Sequence, residues 1–166
     1  MDRAQFAANQ WAKERPEIDT APMLTLGRLA ELAQRIMAER LEPFFTEHNL
    51  HPGEFDVLAT LRRSGKPYAL TPTQLYEATM VSSGGMTNRI DRLQKAGLVE
   101  RQRNPEDRRG VIVVLTTEGF DKVEMMLPLH VENQTRIIAS LSSAELDTLN
   151  ALTQKLISGL EEKKST

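Results

Sequence analysis

Residues 71–119 read TPTQLYEATMVSSGGMTNRIDRLQKAGLVERQRNPEDRRGVIVVLTTEG. Thr71-Pro72-Thr73-Gln74 is a helix start, with Thr71 as N-cap, Pro72 at the first helical position and Gln74 closing a capping box. That helix is short and ends near Thr79. Ser82 or Ser83 then caps a second helix, in which Met86, Ile90 and Leu93 recur at helical spacing. Gly97 followed by Leu98 is a stop signal, the glycine turning left-handed and the leucine folding back. Two short helices across a tight link make a helix-turn-helix.

The next residues extend the motif. Leu98-Val99-Glu100-Arg101-Gln102-Arg103 alternates, and Val111-Ile112-Val113-Val114-Leu115 is β-branched, with Asn104-Pro105-Glu106-Asp107 as turn chemistry between them. This predicts a hairpin with Arg101, Arg103, Arg108 and Arg109 toward its tip. A helix-turn-helix followed by a basic hairpin is a winged DNA-binding module, a far more specific pattern than either part alone.

Charge agrees with that reading once it is resolved along the chain. The net charge is −2, but seven cations against four anions leave Ser82–Gly110 at +3 and the remainder at −5. A basic footprint on an acidic body suits a protein that meets DNA with one edge. The 166 residues, 40% hydrophobic and 27% charged, allow one domain with an added oligomerisation region. Zero cysteines exclude disulfides and thiolate metal sites. No run is long enough to span a bilayer and no signal-peptide pattern precedes Trp11, so a cytoplasmic protein is expected.

Outward from the module, residues 1–20 form a short amphipathic extension ending at Pro16. Pro22 opens a long helix reaching His48, with Leu26, Leu29, Ala33, Ile36 and Leu41 on an apolar stripe and Pro43 bending it. Leu50-His51-Pro52-Gly53 breaks the chain before a helix marked by Phe55, Leu58 and Ala59. Lys66 to Leu70 links into the module. Beyond the hairpin, Thr116 caps a helix toward Ile138 that Pro128 should kink. Ser142-Ser143-Ala144-Glu145 is a capping box for a last helix striped with Leu149, Leu152, Leu156 and Leu160. The fold class is α+β, mostly α: a winged helix-turn-helix over 51–116, an N-terminal extension over 1–20, and dimerisation helices over 21–50 and 117–166. The outer helices carry more apolar surface than the module needs, which predicts a homodimer.

With Met86, Ile90 and Leu93 turned inward, Gly84, Asn88, Asp91 and Lys95 point outward and Thr87 and Arg92 lie at the flanks. Ser83, Gly84, Thr87, Asn88 and Arg92 are the small or polar groups of the N-terminal half, where base edges are met. Asn88 suits adenine and Arg92 suits guanine or phosphate. Thr73, Ser82 and Arg103 flank that surface, and Arg108 and Arg109 reach for a minor groove. An ordinary solvated face is the bland reading of the helix, and the hairpin beside it weighs against that. Arg89 lies about 60° from the inward seam, so its head runs along the module's body. Asp56, mid-helix beside Phe55, needs a partner if buried, and an Asp56–Arg89 pair is one solution.

The run from Asp107-Arg108-Arg109 into Leu115-Thr116, with the helices before it, resembles the MarR family of winged-helix transcriptional regulators, over nearly the whole chain from Met23. Trp11, Glu14-Arg15-Pro16 and Glu54-Phe55-Asp56-Val57-Leu58 resemble the urate-responsive PecS/HucR-like subgroup. The resemblance implies a repressor that binds a palindromic operator in double-stranded DNA as a homodimer and is released by a small anionic effector. It implies effector contacts at Trp11, Asp56, Arg89 and Arg101, and that Asp107 orients Arg109. A first-helix histidine of HucR corresponds to Ala33. A planar anion could stack on Trp11, be held by Arg89 and Arg101, and repel Asp56.

Other chemistry finds little footing. His48 and His51 lack a third ligand, and there is no phosphate loop, nucleophile elbow or HExxH, so no catalytic residue, metal or cofactor is assigned. The methionines read as packing. The competing readings are a sensor of another anion (a phenolic acid, a citrate-like carboxylate or a nucleotide), a non-sensing architectural DNA binder, and a winged-helix protein adaptor.

Overall fold

The computed structural model describes residues 1–79, 85–105, 107 and 110–162. The expectations placed on Ser82, Ser83, Gly84, Arg108 and Arg109 lie outside the described residues. Two compact units are present, Met1–His130 and Val131–Thr166. The chain is mostly helical with one small antiparallel sheet, as the α+β reading required.

Helix α1 (Arg3–Glu14) starts where the Asp2 carboxylate accepts the Gln5 N–H at 2.8 Å. It packs along α2 (Ala21–Ile36), and Arg28 donates to Asp2 across the pair at 2.9 Å. The predicted long helix does run to residue 47, though not as uniform α-helix. A π-helical segment (Met37–Leu41) joins α2 to α3 (Glu42–Glu47). Pro43 lies just after it and has no N–H to give to the preceding turn; a widened turn is one way a helix absorbs such a residue. Asn49, at φ +58, ends α3, with the Leu50 N–H reaching back to the Phe45 carbonyl at 2.9 Å.

Helix α4 (Pro52–Arg63) is the central post of the first unit: Val57, Leu58 and Leu61 have no solvent exposure. Burying each such side chain contributes about 1.5–3 kcal/mol. Against it stand α5 (Pro72–Ala78) and α6 (Met86–Lys95), through Leu75, Met86, Ile90 and Leu93, in a cluster that also takes in Phe45 and Phe55. The Thr71–Gln74 capping box is formed at both ends, at 3.2 and 2.9 Å. The expected serine cap on α6 is corrected: Gly85 holds the N-cap place at φ +94, a conformation open to a residue without Cβ, and contributes no side-chain cap. At the other end Gly97 sits at φ +74, its N–H on Gln94 and the Leu98 N–H on Leu93, a complete Schellman stop.

The hairpin is as predicted: β2 (Val99–Arg103) pairs antiparallel with β3 (Val111–Leu115), Val99 opposite Leu115 and Arg103 opposite Val111. The link before α5 was not foreseen as a strand, yet β1 (Ala69–Leu70) joins the other edge of β3, giving the order β1-β3-β2. Two residues are too few to show a period of two.

Helix α7 (Thr117–Ile138) continues through Pro128. Its cap is also a junction. Thr116 Oγ1 accepts the Gly119 N–H at 3.0 Å while donating to the Gly97 carbonyl at 2.8 Å. A side chain at Gly119 would collide with the Leu98 backbone carbonyl. In the second unit, the Ser142–Glu145 capping box opens α8 (Ser143–Glu162) as predicted. Leu152, Leu156, Ile157 and Leu160 line α8 at half exposure or more, up to 69%.

Candidate nucleic-acid interface

Helix α6 is divided as its spacing predicted. Met86, Ile90 and Leu93 are buried, whereas Thr87, Asn88, Asp91 and Arg92 are exposed. Thr73, at the start of α5, and Arg103, near the hairpin tip, are exposed as well. Small polar groups thus stand on an open helix face beside an open basic strand.

The arginines are not equivalent. Arg92, expected to contact DNA, has a half-exposed side chain whose Nε engages the Glu54 carboxylate. Glu54 is the residue that the sequence reading missed. Its side chain is 6% exposed, and its second oxygen accepts the His51 N–H at 2.8 Å, closing the first turn of α4. The usable signal was Glu three positions after His51 at a helix start; nothing local could have named a partner thirty-eight residues away.

Arg89 runs along the body, as expected. A methyl group added at Gly53 would run into its Nε, so Arg89 lies against α4 one turn before Asp56, which is half-buried. Arg101 bridges strand and helix: it donates to Asp91 at 2.5 Å and to Gln94 at 2.6 Å. With Arg101 31% and Asp91 56% exposed, that pair contributes about 0–1 kcal/mol and is open to competition by a stronger anion. Breaking the Glu54–Arg92 pair is costlier, because the carboxylate left behind is buried. Trp11 is 48% exposed on α1, away from the hydrophobic core.

This arrangement has known counterparts. Residues 48–110 match the MarR family model. The regulator PecS of Dickeya dadantii is 41% identical over 143 residues, covering 86% of each chain. This chain belongs to the MarR family. Among solved structures, a mutant MarR of E. coli complexed with operator DNA superposes with a TM-score of 0.69 at 28% identity, covering 88% of this chain and 96% of that one. BpsR of Bordetella bronchiseptica, described for regulation of its DNA binding by 6-hydroxynicotinic acid, gives 0.70 at 28% identity, covering 78% and 90%. As a MarR-family protein the chain is a DNA-binding transcriptional regulator and not an enzyme, and α5, α6 and the β2–β3 hairpin are its winged helix-turn-helix. No helix among the described residues is long and apolar enough to cross a membrane.

Proposed function

We propose that the protein is a homodimeric, cytoplasmic repressor that binds a palindromic operator and leaves it when a small planar anion, urate or a close relative, is bound. The observation that carries the release mechanism is the Arg101 bridge. A residue matched to the effector site of the urate-responsive subgroup holds the recognition helix through Asp91 and Gln94. An anion that recruits Arg101 takes that support from α6, and Arg89, on the face of α6 against Gly53, is a second handle. Trp11 supplies a stacking surface and Asp56 a charge that the anion repels. DNA and effector must then weaken each other's binding by the same factor.

On the DNA side, Thr87 and Asn88 face the major groove, and Thr73, Ser82, Ser83 and Gly84 are assigned to the same contact. Arg103, Arg108 and Arg109 carry the hairpin to the backbone and minor groove. Residues 21–50 and 117–166 are assigned to dimerisation, 51–116 to DNA and 1–20 to an effector-side extension. The exposed leucines of α8 favour a second copy as their cover. The likeness to PecS and the ligand-regulated DNA binding described for BpsR support an effector of this kind.

The test is a gel-shift titration on DNA upstream of the protein's own gene. Urate is expected to displace the wild-type protein, and Asp56→Ala to need about tenfold more urate, the size of a typical coupling between sites. Retention of the shift at every soluble urate concentration rejects urate as the effector.

A further inference from the structure

The first turn of α4 is the seat of the recognition helix. Two arginines of α6 one turn apart, Arg89 and Arg92, rest on two consecutive residues, Gly53 and Glu54. Neighbours at i and i+3 share a helix face, so this ridge resists both sliding and rolling of α6. Glu54 is the fixed half of the contact. It is buried, and its two oxygens are divided between the His51 N–H and Arg92. Arg92 is the half that faces out, its side chain 52% exposed on the side where DNA is met.

A cation in that place can act in two ways. It can leave the carboxylate for a phosphate, which strands a buried charge with one remaining hydrogen bond. Or it can stay, and present Thr87 and Asn88 at a fixed height and angle. We propose the second: Glu54 and Arg92 form a clasp that is kept in the DNA complex, and both are positioning residues for operator recognition. Arg92 is therefore not a direct DNA contact, contrary to what its place on the open half of the helix suggests. The inference rests on α6 being the helix that reads the operator.

Counterion release separates the alternatives. Each phosphate neutralised by the protein adds about 0.9 to the slope of log affinity against log salt on duplex DNA. The probe is the shortest duplex that the full-length wild-type protein selects from a randomised library. It is titrated across a salt series with Glu54→Gln, Arg92→Gln, the double variant and Asn88→Ala, affinities being corrected for the folded fraction. The clasp predicts that each single change at Glu54 or Arg92 weakens binding about tenfold, that the double variant is no weaker than either, and that the slope stays at the wild-type value. A slope reduced by about 0.9 in Arg92→Gln, or losses that multiply in the double variant, overturns it. Should Glu54→Gln fold poorly, the slope of Arg92→Gln at its half-exposed site decides alone. If Asn88→Ala also leaves affinity and selectivity intact, the reading of α6 as the recognition helix has failed. If only Asn88→Ala weakens binding, the clasp has failed.

Discussion

His130 sits among the rings of Phe44, Phe45 and Phe55, at centroid distances of 5.6, 5.3 and 5.2 Å. Its Nδ1 is buried and has no hydrogen-bond partner among the described residues. Burial disfavours the imidazolium and holds the pKa below its ordinary 6.5. Between the two values the unfolded chain binds the extra proton and the folded chain does not. Stability contributed by the neutral ring is thus complete above about pH 6.5 and lost as pH falls through the folded pKa. The expected outcome is a melting temperature that drops on acidification from pH 7 toward about 5, with a shallower drop for His130→Phe. His48 and His51 remain in that variant and report the background. Equal pH dependence of the two proteins removes His130 from the account.

Among elements, the termini of helices were the most legible part of the chain. The Thr71 and Ser142 boxes, the Thr116 cap and the Gly97 stop each depend on residues within five positions, so a short pattern carries all of their physics. The buried seam of α6 was legible for the same reason. Legibility ended where a contact crossed the chain: Glu54 to Arg92, Arg101 to Asp91, and β1 to β3 are settled by packing. Gly85 shows a different failure. Two serines and two glycines in a row each offer a cap, and the choice among them is not local. Gly97 permits a clean measurement, since a Cβ there meets nothing within 4 Å and the whole penalty is backbone. Gly97→Ala should cost about 1 kcal/mol in a denaturant titration, near the left-handed penalty for an L-residue. A value near zero means that the stop after α6 is not holding the helix to the hairpin.

For the whole molecule, the deciding quantity is the apolar surface left over. Leu26 and Leu32 on α2, Leu127 and Leu129 on α7, and Leu149, Leu152, Leu156 and Leu160 on α8 are each more than a third exposed in the single chain. A stretch of 20 residues such as α8 draws most of its stability from packing that face. Leu152→Glu with Leu156→Glu should give a monomer by light scattering and lower operator affinity about a hundredfold, the scale of lost bivalency, while helical content near α6 is kept. A dimeric mass for this variant removes α8 from the interface.

Thr116 ties Gly97 to Gly119 in a knot of backbone at the root of the hairpin. Because the Leu98 carbonyl leaves no room at Gly119 even for a methyl group, nothing compressible separates the root of the hairpin from the first turn of α7. The first turn of α7 therefore bears directly on the base of the ribbon and the tail of α6, like a key seated in its shaft.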